Sequence, residues 1–180
     1  KIGMLGHEGV TEAVADALRL TAAPIVWDPV LRASAGGMAL YLGDPRRALA
    51  LLGDHLALVT PNLAEAEALV GFPVNDVAAM RRAAQTLADL GVPCLVKGGH
   101  LAAGAALDVL AVGGEVVELA GARLPGGEDT HGTGCALATA IACELARGSS
   151  LLDAAATAAA FVRHHLAAPV RAGRGRPSVL

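Results

Sequence analysis

Aromatic residues are scarce in this sequence: one Trp, one Tyr and two Phe make up 2% of its 180 residues. The interior must therefore be built from Ala, Leu and Val. Proteins that hold single-stranded nucleic acid stack bases on aromatic side chains within a positively charged groove. This sequence lacks the aromatic platforms, and its net charge of −3 gives no electrostatic attraction for a phosphate backbone. We therefore expect no nucleic-acid partner.

Cysteine is also rare, and long apolar runs are missing. The three cysteines, Cys94, Cys135 and Cys143, are odd in number and have no metal-ligand spacing. This usage is typical of a reduced compartment and not of a disulfide framework. No apolar run approaches the length of a membrane span, and the first residues do not resemble a signal peptide. We expect a cytoplasmic protein with no membrane partner.

Hydrophobic residues, in contrast, make up 54% of the sequence, which predicts a folded protein. Short apolar segments typical of buried strands alternate with segments whose apolar residues recur at helical spacing. This pattern indicates an α/β fold with a mostly parallel sheet and helices on both faces. We predict one domain over residues 1–180. The predicted strands are 1–5, 24–28, 55–60 and 93–96, followed by an edge hairpin of 106–112 and 115–119. The predicted helices are 10–20, 46–52, 61–70, 76–90, 136–147 and 151–166.

A glycine-rich loop runs directly into a helix in the stretch 126–147. The loop half, 126–134, has too much glycine for a helix or a strand interior. Gly132, Thr133 and Gly134 fall at the junction, where free backbone N–H groups and the helix dipole attract anions. The pattern predicts a site for a phosphoryl group or for the charge that develops in phosphoryl transfer. A plain glycine-rich helix cap is the alternative interpretation of the same residues.

Cys135 falls on the first turn of this predicted helix. The helix dipole there is expected to favour the thiolate form, so a reactive nucleophile or base is physically reasonable. The alternative is a small apolar cysteine packed behind the cap. Both interpretations stay open on the residues alone.

Two charged residues come at the carboxyl ends of predicted strands, which is where open parallel sheets bind ligands. Asp28 ends the strand 24–28, and Lys97 follows the strand 93–96. Asp28 could equally cap the turn before Pro29. Lys97 could meet a nucleotide phosphate as a point charge, or be a surface lysine beside a turn.

Asn62 and Glu65 lie three positions apart at a predicted helix start. This spacing puts both side chains on one face, within reach of one cluster of metal and water. The same spacing is that of a capping box, in which Asn62 caps the helix and Glu65 answers it. The two interpretations are not exclusive.

The sequence resembles the hydroxymethylpyrimidine/phosphomethylpyrimidine kinases of thiamine biosynthesis, in the ribokinase-like superfamily. Five motifs carry the resemblance in the family's order, and together they cover essentially the whole chain. They are KIGMLG at 1–6, DPV at 28–30, TPNLAEAE at 60–67, VKGGHL at 96–101 and DTHGTGC at 129–135. The resemblance implies a ribokinase-like three-layer sandwich. The chain resembles the C-terminal two thirds of the family, so we expect the N-terminal part of the family fold to be absent from it.

The resemblance implies an ATP-dependent phosphotransferase that uses Mg²⁺. Its expected substrates are 4-amino-5-hydroxymethyl-2-methylpyrimidine and the monophosphate of that compound. We also expect a homodimer. The closest alternative is a pyridoxal or pyridoxine kinase of the same superfamily, and the alternative from another class is a non-catalytic domain that binds nucleotide or dimerises.

The same resemblance implies roles for individual residues. The catalytic group is Cys135, as the base, together with Gly132, Thr133 and Gly134. Met4 and Val30 are expected to line the pyrimidine pocket. Lys97, Thr130 and Asn62 are expected on the nucleotide side, and Asp28 and Glu65 are expected to organise Mg²⁺.

Overall fold

The computed structural model describes residues 1–33, 37–99, 101, 106–121, 130–171 and 173–179. The strands are β1 (Gly6–His7), β2 (Ile25–Trp27), β3 (Tyr41–Leu42), β4 (Leu56–Val59), β5 (Cys94–Lys97), β6 (Ala106–Val112) and β7 (Glu115–Gly121). The helices are α1 (Glu8–Leu18), α2 (Pro45–Leu52), α3 (Leu63–Val70), α4 (Val77–Asp89), α5 (Thr133–Ala146) and α6 (Leu151–Leu166). A 3₁₀ turn, Gly53–His55, precedes β4.

The main sheet has the strand order β2-β4-β5-β6-β7. The strands β2, β4 and β5 are parallel, and β6 and β7 add an antiparallel hairpin at one edge. The hairpin turns through Gly113 and Gly114, whose φ angles of 60° and 84° are those that a two-residue turn between twisted strands requires. Two short strands, β1 and β3, pair separately in parallel. The predicted α/β architecture and edge hairpin are thus confirmed.

Two apolar cores lie on opposite faces of this sheet. One core packs Trp27, Val59 and Val96 with side chains of α2, α3 and α4. The other packs Leu58 and Leu95 with side chains of α5 and α6. The central strands are apolar on both faces because both faces are covered, as in other parallel sheets. Side chains alternate between the faces, so a residue two positions beyond Leu95 points toward α5 and α6.

Local capping signals set several helix starts. The Asp44 carboxylate accepts the Arg46 N–H, with Pro45 at the first helical position of α2. Ser150 caps α6 by accepting the Asp153 N–H. The cap of α4 is Asp76, because the Asp76 carboxylate accepts the Ala79 N–H at 2.7 Å.

The N-terminal segment differs from its prediction. Residues 1–5 do not form a strand: Ile2 alone makes a bridge to Trp27. Gly6 then turns the chain with a φ of 77°, and α1 begins at Glu8, two residues before the predicted start. The apolar run predicts burial correctly only at Leu5, which is 7% exposed. Across the described ranges, no helix has the length and apolar character needed to cross a membrane.

Candidate active site

A buried ion pair joins the ends of β2 and β5. Asp28 directly follows β2, is 2% exposed, and accepts a hydrogen bond of 2.7 Å from the Lys97 Nζ atom at its Oδ1 atom. The Lys1 Nζ atom lies 3.6 Å from the other carboxylate oxygen. Asp28 and Lys97 both point to the face covered by α5 and α6. Each lies at its predicted strand end, but the sequence did not predict that the two side chains pair. The contact from Lys1 was not predicted, because no local pattern marks it.

The N-terminus of α5 lies against this ion pair. Gly132 is the N-cap with a φ of 85°, a left-handed conformation that side chains other than glycine rarely adopt. A Cβ atom on Gly134 would lie 3.1 Å from the Lys97 Nζ atom and 4.0 Å from the Asp28 Oδ2 atom. The free N–H groups of the first turn of α5 therefore lie next to the Lys97 ammonium group. This combination is suited to hold an anion.

Cys135 lies on the first turn of α5 and is exposed. The alternative of a cysteine packed behind the cap is therefore wrong. Cys135 lines a groove of about 430 Å³ between α5 and α6, which Arg147 and Phe161 also line. The thiol is thus accessible to a molecule that binds at the helix N-terminus.

Asn62 and Glu65 form the predicted capping box at the start of α3. The Asn62 side chain accepts the Glu65 N–H at 3.0 Å, and the Glu65 carboxylate accepts the Asn62 N–H at 2.8 Å. Burial raises the pKa of Glu65, and the nearby Asp28 carboxylate adds to this rise. The Lys97 ammonium and the N–H groups of Asn62 and Leu31 act in the opposite direction and lower the pKa. Glu65 therefore lies within the electrostatic reach of the Asp28–Lys97 pair.

The donor set bears on whether Mg²⁺ could bind here. Among the residues that the structure describes, no group of three or more His, Cys, Asp and Glu side chains could enclose a metal ion. Mg²⁺ is commonly held by one or two carboxylates together with substrate phosphates and water. The Asp28 carboxylate fits that mode, since it lies beside the N-terminus of α5. The Glu65 carboxylate is already engaged in the capping box.

The remaining predicted site residues are Met4, Val30 and Thr130. Met4 is 59% exposed, and Val30 is half-buried and donates its N–H to the Asp28 carbonyl at 2.8 Å. Thr130 is 7% exposed and lies two residues before the Gly132 cap. The loop positions 126–129 and His100 lie outside the described residues.

Two polar residues at this edge of the sheet were missed from the sequence. Asp108 accepts the Gly98 N–H at 3.0 Å and lies directly opposite Lys97 in the register of β5 and β6. Thr60 follows β4 and is fully buried, and its hydroxyl has no hydrogen-bond partner among the described residues. A carboxylate inside the apolar strand β6 was the available signal for Asp108.

The backbone entering α5 is tied to the end of the chain. The His131 N–H donates to the Pro177 carbonyl at 2.8 Å, and Ser178 pairs with both His131 and Val170. Val179 is 2% exposed in the core beneath α5 and α6. The position of the Gly132 cap is thus supported from outside its own helix.

Comparison with known proteins decides the family. The family model described as phosphomethylpyrimidine kinase matches residues 1–179. A hydroxymethylpyrimidine/phosphomethylpyrimidine kinase of Rhizobium meliloti is 39% identical over 99% of this chain and 68% of its own length. The chain belongs to the phosphomethylpyrimidine kinase family. The family predicted from the five motifs is confirmed.

Solved structures of related kinases share this fold. A pyridoxal kinase from Staphylococcus aureus in complex with ADP superimposes with a TM-score of 0.87 at 28% identity, covering 99% of this chain and 65% of the other. A phosphomethylpyrimidine kinase from Clostridium difficile gives a TM-score of 0.73 at 26% identity, covering 91% of this chain and 66% of the other. The chain thus spans about two thirds of the length of these relatives.

Proposed function

We propose that this phosphomethylpyrimidine kinase family member uses ATP to phosphorylate 4-amino-5-hydroxymethyl-2-methylpyrimidine and then the monophosphate of that compound. The observation that supports the proposal most directly is that the N-terminus of α5 lies next to the Asp28–Lys97 ion pair. Such an arrangement stabilises charge on a phosphoryl group in transfer. The names of the relatives supply the substrate.

The transfer itself is an in-line displacement. The hydroxymethyl oxygen attacks the γ-phosphorus, the bond from that phosphorus to the bridging oxygen of ADP breaks, and the hydroxyl proton passes to a base. Cys135 is the proposed base, because its exposed thiol lies on the first turn of α5. In the second reaction a phosphate oxygen is the nucleophile. The backbone N–H groups of Gly132, Thr133 and Gly134 would hold the developing charge.

Charged and polar side chains at the strand ends would hold the nucleotide. Lys97, with Thr130 and Asn62, is proposed to contact its phosphates, because the Lys97 ammonium is adjacent to the N-terminus of α5. Mg²⁺ would be held by Asp28, with Glu65 acting through water, and would supply neutralisation of phosphate charge.

The resemblance to the family is the basis for two further proposals, the pocket for the pyrimidine ring and the homodimer. Met4 and Val30 would line the pyrimidine pocket, and their partial exposure leaves apolar surface for a ring. The active form is proposed to be a cytoplasmic homodimer of single kinase domains. Equilibrium sedimentation over a range of protein concentrations tests the dimer.

Pyridoxal phosphorylation is the second candidate. The TM-score to the pyridoxal kinase from Staphylococcus aureus exceeds the TM-score to the phosphomethylpyrimidine kinase from Clostridium difficile. Curated relatives named as pyrimidine kinases, at higher sequence identity, weigh against it.

The test is ATP turnover by the 180-residue chain, with hydroxymethylpyrimidine and pyridoxal assayed side by side. We expect ADP formation with the pyrimidine and at most slow formation with pyridoxal. The reverse order would assign the chain to pyridoxal. Binding of ATP without turnover of either substrate would instead favour the non-catalytic interpretation.

A further inference from the structure

The Asp108 carboxylate lies next to the candidate active site, and the proposed chemistry gives it no role. It lies on β6, opposite Lys97 on β5. Its Oδ1 atom accepts the N–H of Gly98, the residue that follows Lys97, at 3.0 Å. Asp108 thus bonds to the backbone immediately next to the lysine that pairs with Asp28.

The Lys97–Gly98 turn packs closely against neighbouring segments of the chain. The Lys97 N–H donates to the Pro61 carbonyl at 2.8 Å. A Cβ atom on Gly98 would lie 2.0 Å from the Leu107 carbonyl oxygen and 2.8 Å from the Met80 Cε atom. Only glycine fits at this close approach of two backbones. The Asp108 carboxylate adds a side-chain hydrogen bond to the backbone of this turn.

We propose that Asp108 is a positioning residue, which fixes the Lys97–Gly98 turn through the Gly98 N–H and so presents the Lys97 ammonium to Asp28 and to the N-terminus of α5. Its effect on nucleotide affinity rests on the proposed function. Its effect on the position of Lys97 does not, because the ion pair is formed by two side chains of the chain itself.

The proposal requires that Asp108 accept the hydrogen bond from the Gly98 N–H. It does not require that the Asp108 side chain be charged. Burial raises the pKa of Asp108, an effect that the Gly98 N–H and the charges of Lys97 and Arg163 oppose. Burial therefore favours the uncharged carboxyl group, which asparagine resembles in shape. Asp108→Asn retains an acceptor oxygen for the Gly98 N–H, whereas Asp108→Ala leaves that N–H without its partner.

Lysine reactivity tests the positioning without any ligand. The chain has two lysines, Lys1 and Lys97, and the Lys97 side chain is 15% exposed in its ion pair. The rate at which an amine-reactive ester labels Lys97 can be measured by peptide mass spectrometry. We expect labelling about fivefold faster in Asp108→Ala, as for the loss of one hydrogen bond, and near the wild-type rate in Asp108→Asn.

Ser150→Ala is the matched control. It also removes a side-chain acceptor of a backbone N–H, but at the N-terminus of α6. Its Lys97 labelling should equal that of the wild type. An unchanged rate in Asp108→Ala would overturn the proposal, and so would Asp108→Asn behaving like Asp108→Ala. If Asp108→Ala does not fold, Asp108→Ser, which has a shorter side chain, replaces it.

Kinetics then separate positioning from catalysis. Asp108→Ala should raise the KM for ATP about fivefold with a smaller change in kcat. Combined with Lys97→Met, it should add little to the effect of Lys97→Met alone, because both act through one ammonium group. Fully additive effects would overturn the proposal. If the wild-type chain turns over neither substrate, the proposed function fails, and the labelling experiment still decides the role of Asp108.

Discussion

The Lys97 ammonium donates a 2.7 Å hydrogen bond to the carboxylate of Asp28, 69 positions earlier in the chain. The Asp28 side chain is 3% exposed and the Lys97 side chain is 15% exposed, so water screens their attraction only weakly. Removing one partner of such a pair leaves the other charge without compensation. The pair therefore links the position of β5 to that of β2 exactly where the N-terminus of α5 meets them.

Asp28→Asn should raise the Mg²⁺ concentration needed for half-maximal turnover roughly tenfold or more, as for loss of a supporting carboxylate. Asparagine retains the size of the side chain but offers one neutral oxygen. The measurement is turnover against Mg²⁺ concentration at saturating ATP. Asp16→Asn, at an exposed position on α1, is the control and should leave the curve unchanged. An unaltered curve in Asp28→Asn would remove Asp28 from the metal site.

Cys135→Ser should lower turnover at least about tenfold and leave ATP affinity unchanged, because a serine hydroxyl is a much weaker base than a thiolate. Cys143→Ser is a close control, since Cys143 is exposed on the same helix and lines the same groove. Steady-state kinetics and ATP titration are the measurements. Full activity in Cys135→Ser would show that the thiol is not the base.

Gly134→Ala should separate stability from function. Alanine is favoured over glycine inside a helix by about 1 kcal/mol, so the free energy of unfolding should not fall. The added methyl group would nevertheless lie 3.1 Å from the Lys97 Nζ atom, displacing the ammonium, and ATP affinity should fall several-fold. Gly9→Ala on α1, where the nearest neighbour is the exposed His7 ring, should keep wild-type affinity. Equal ATP affinity in both variants would contradict the expected crowding.

Asp108→Asn should change how stability depends on pH. Burial raises the pKa of Asp108 in the folded state, so between the unfolded and folded pKa values the folded protein binds more protons. Stability from this group is present below about pH 4 and is lost as the pH rises through the folded pKa. The variant lacks this loss, so its stability relative to wild type should increase with pH, by up to about 1.4 kcal/mol per pH unit.

Urea unfolding of both proteins between pH 4 and pH 8 measures this difference. The comparison cancels the titration of the other carboxylates, which the two proteins share. A difference that stays constant over this range would mean that burial does not alter the titration of Asp108.

Local signals in the sequence predicted the features that depend on neighbouring residues. The capping box of Asn62 and Glu65 needs only a three-residue spacing, and the hairpin turn needs only Gly113 and Gly114. The strand 1–5 was predicted wrongly, because apolar character alone does not supply a backbone partner, and only Ile2 finds one. The start of α1 was placed too late for the related reason that Gly6 already ends the extended segment.

The sequence alone thus determined the alternation of strands and helices and the family, and it predicted an anion site at residues 132–134. Only the tertiary structure decided which residues meet: Lys97 with Asp28, Gly134 with Lys97, and Asp108 with Gly98. Helix caps and turns depend on residues only a few positions apart, so the local sequence is enough to predict them. Contacts between distant strand ends depend on strand order, register and the face to which each side chain points, and these are set by packing of the whole sheet.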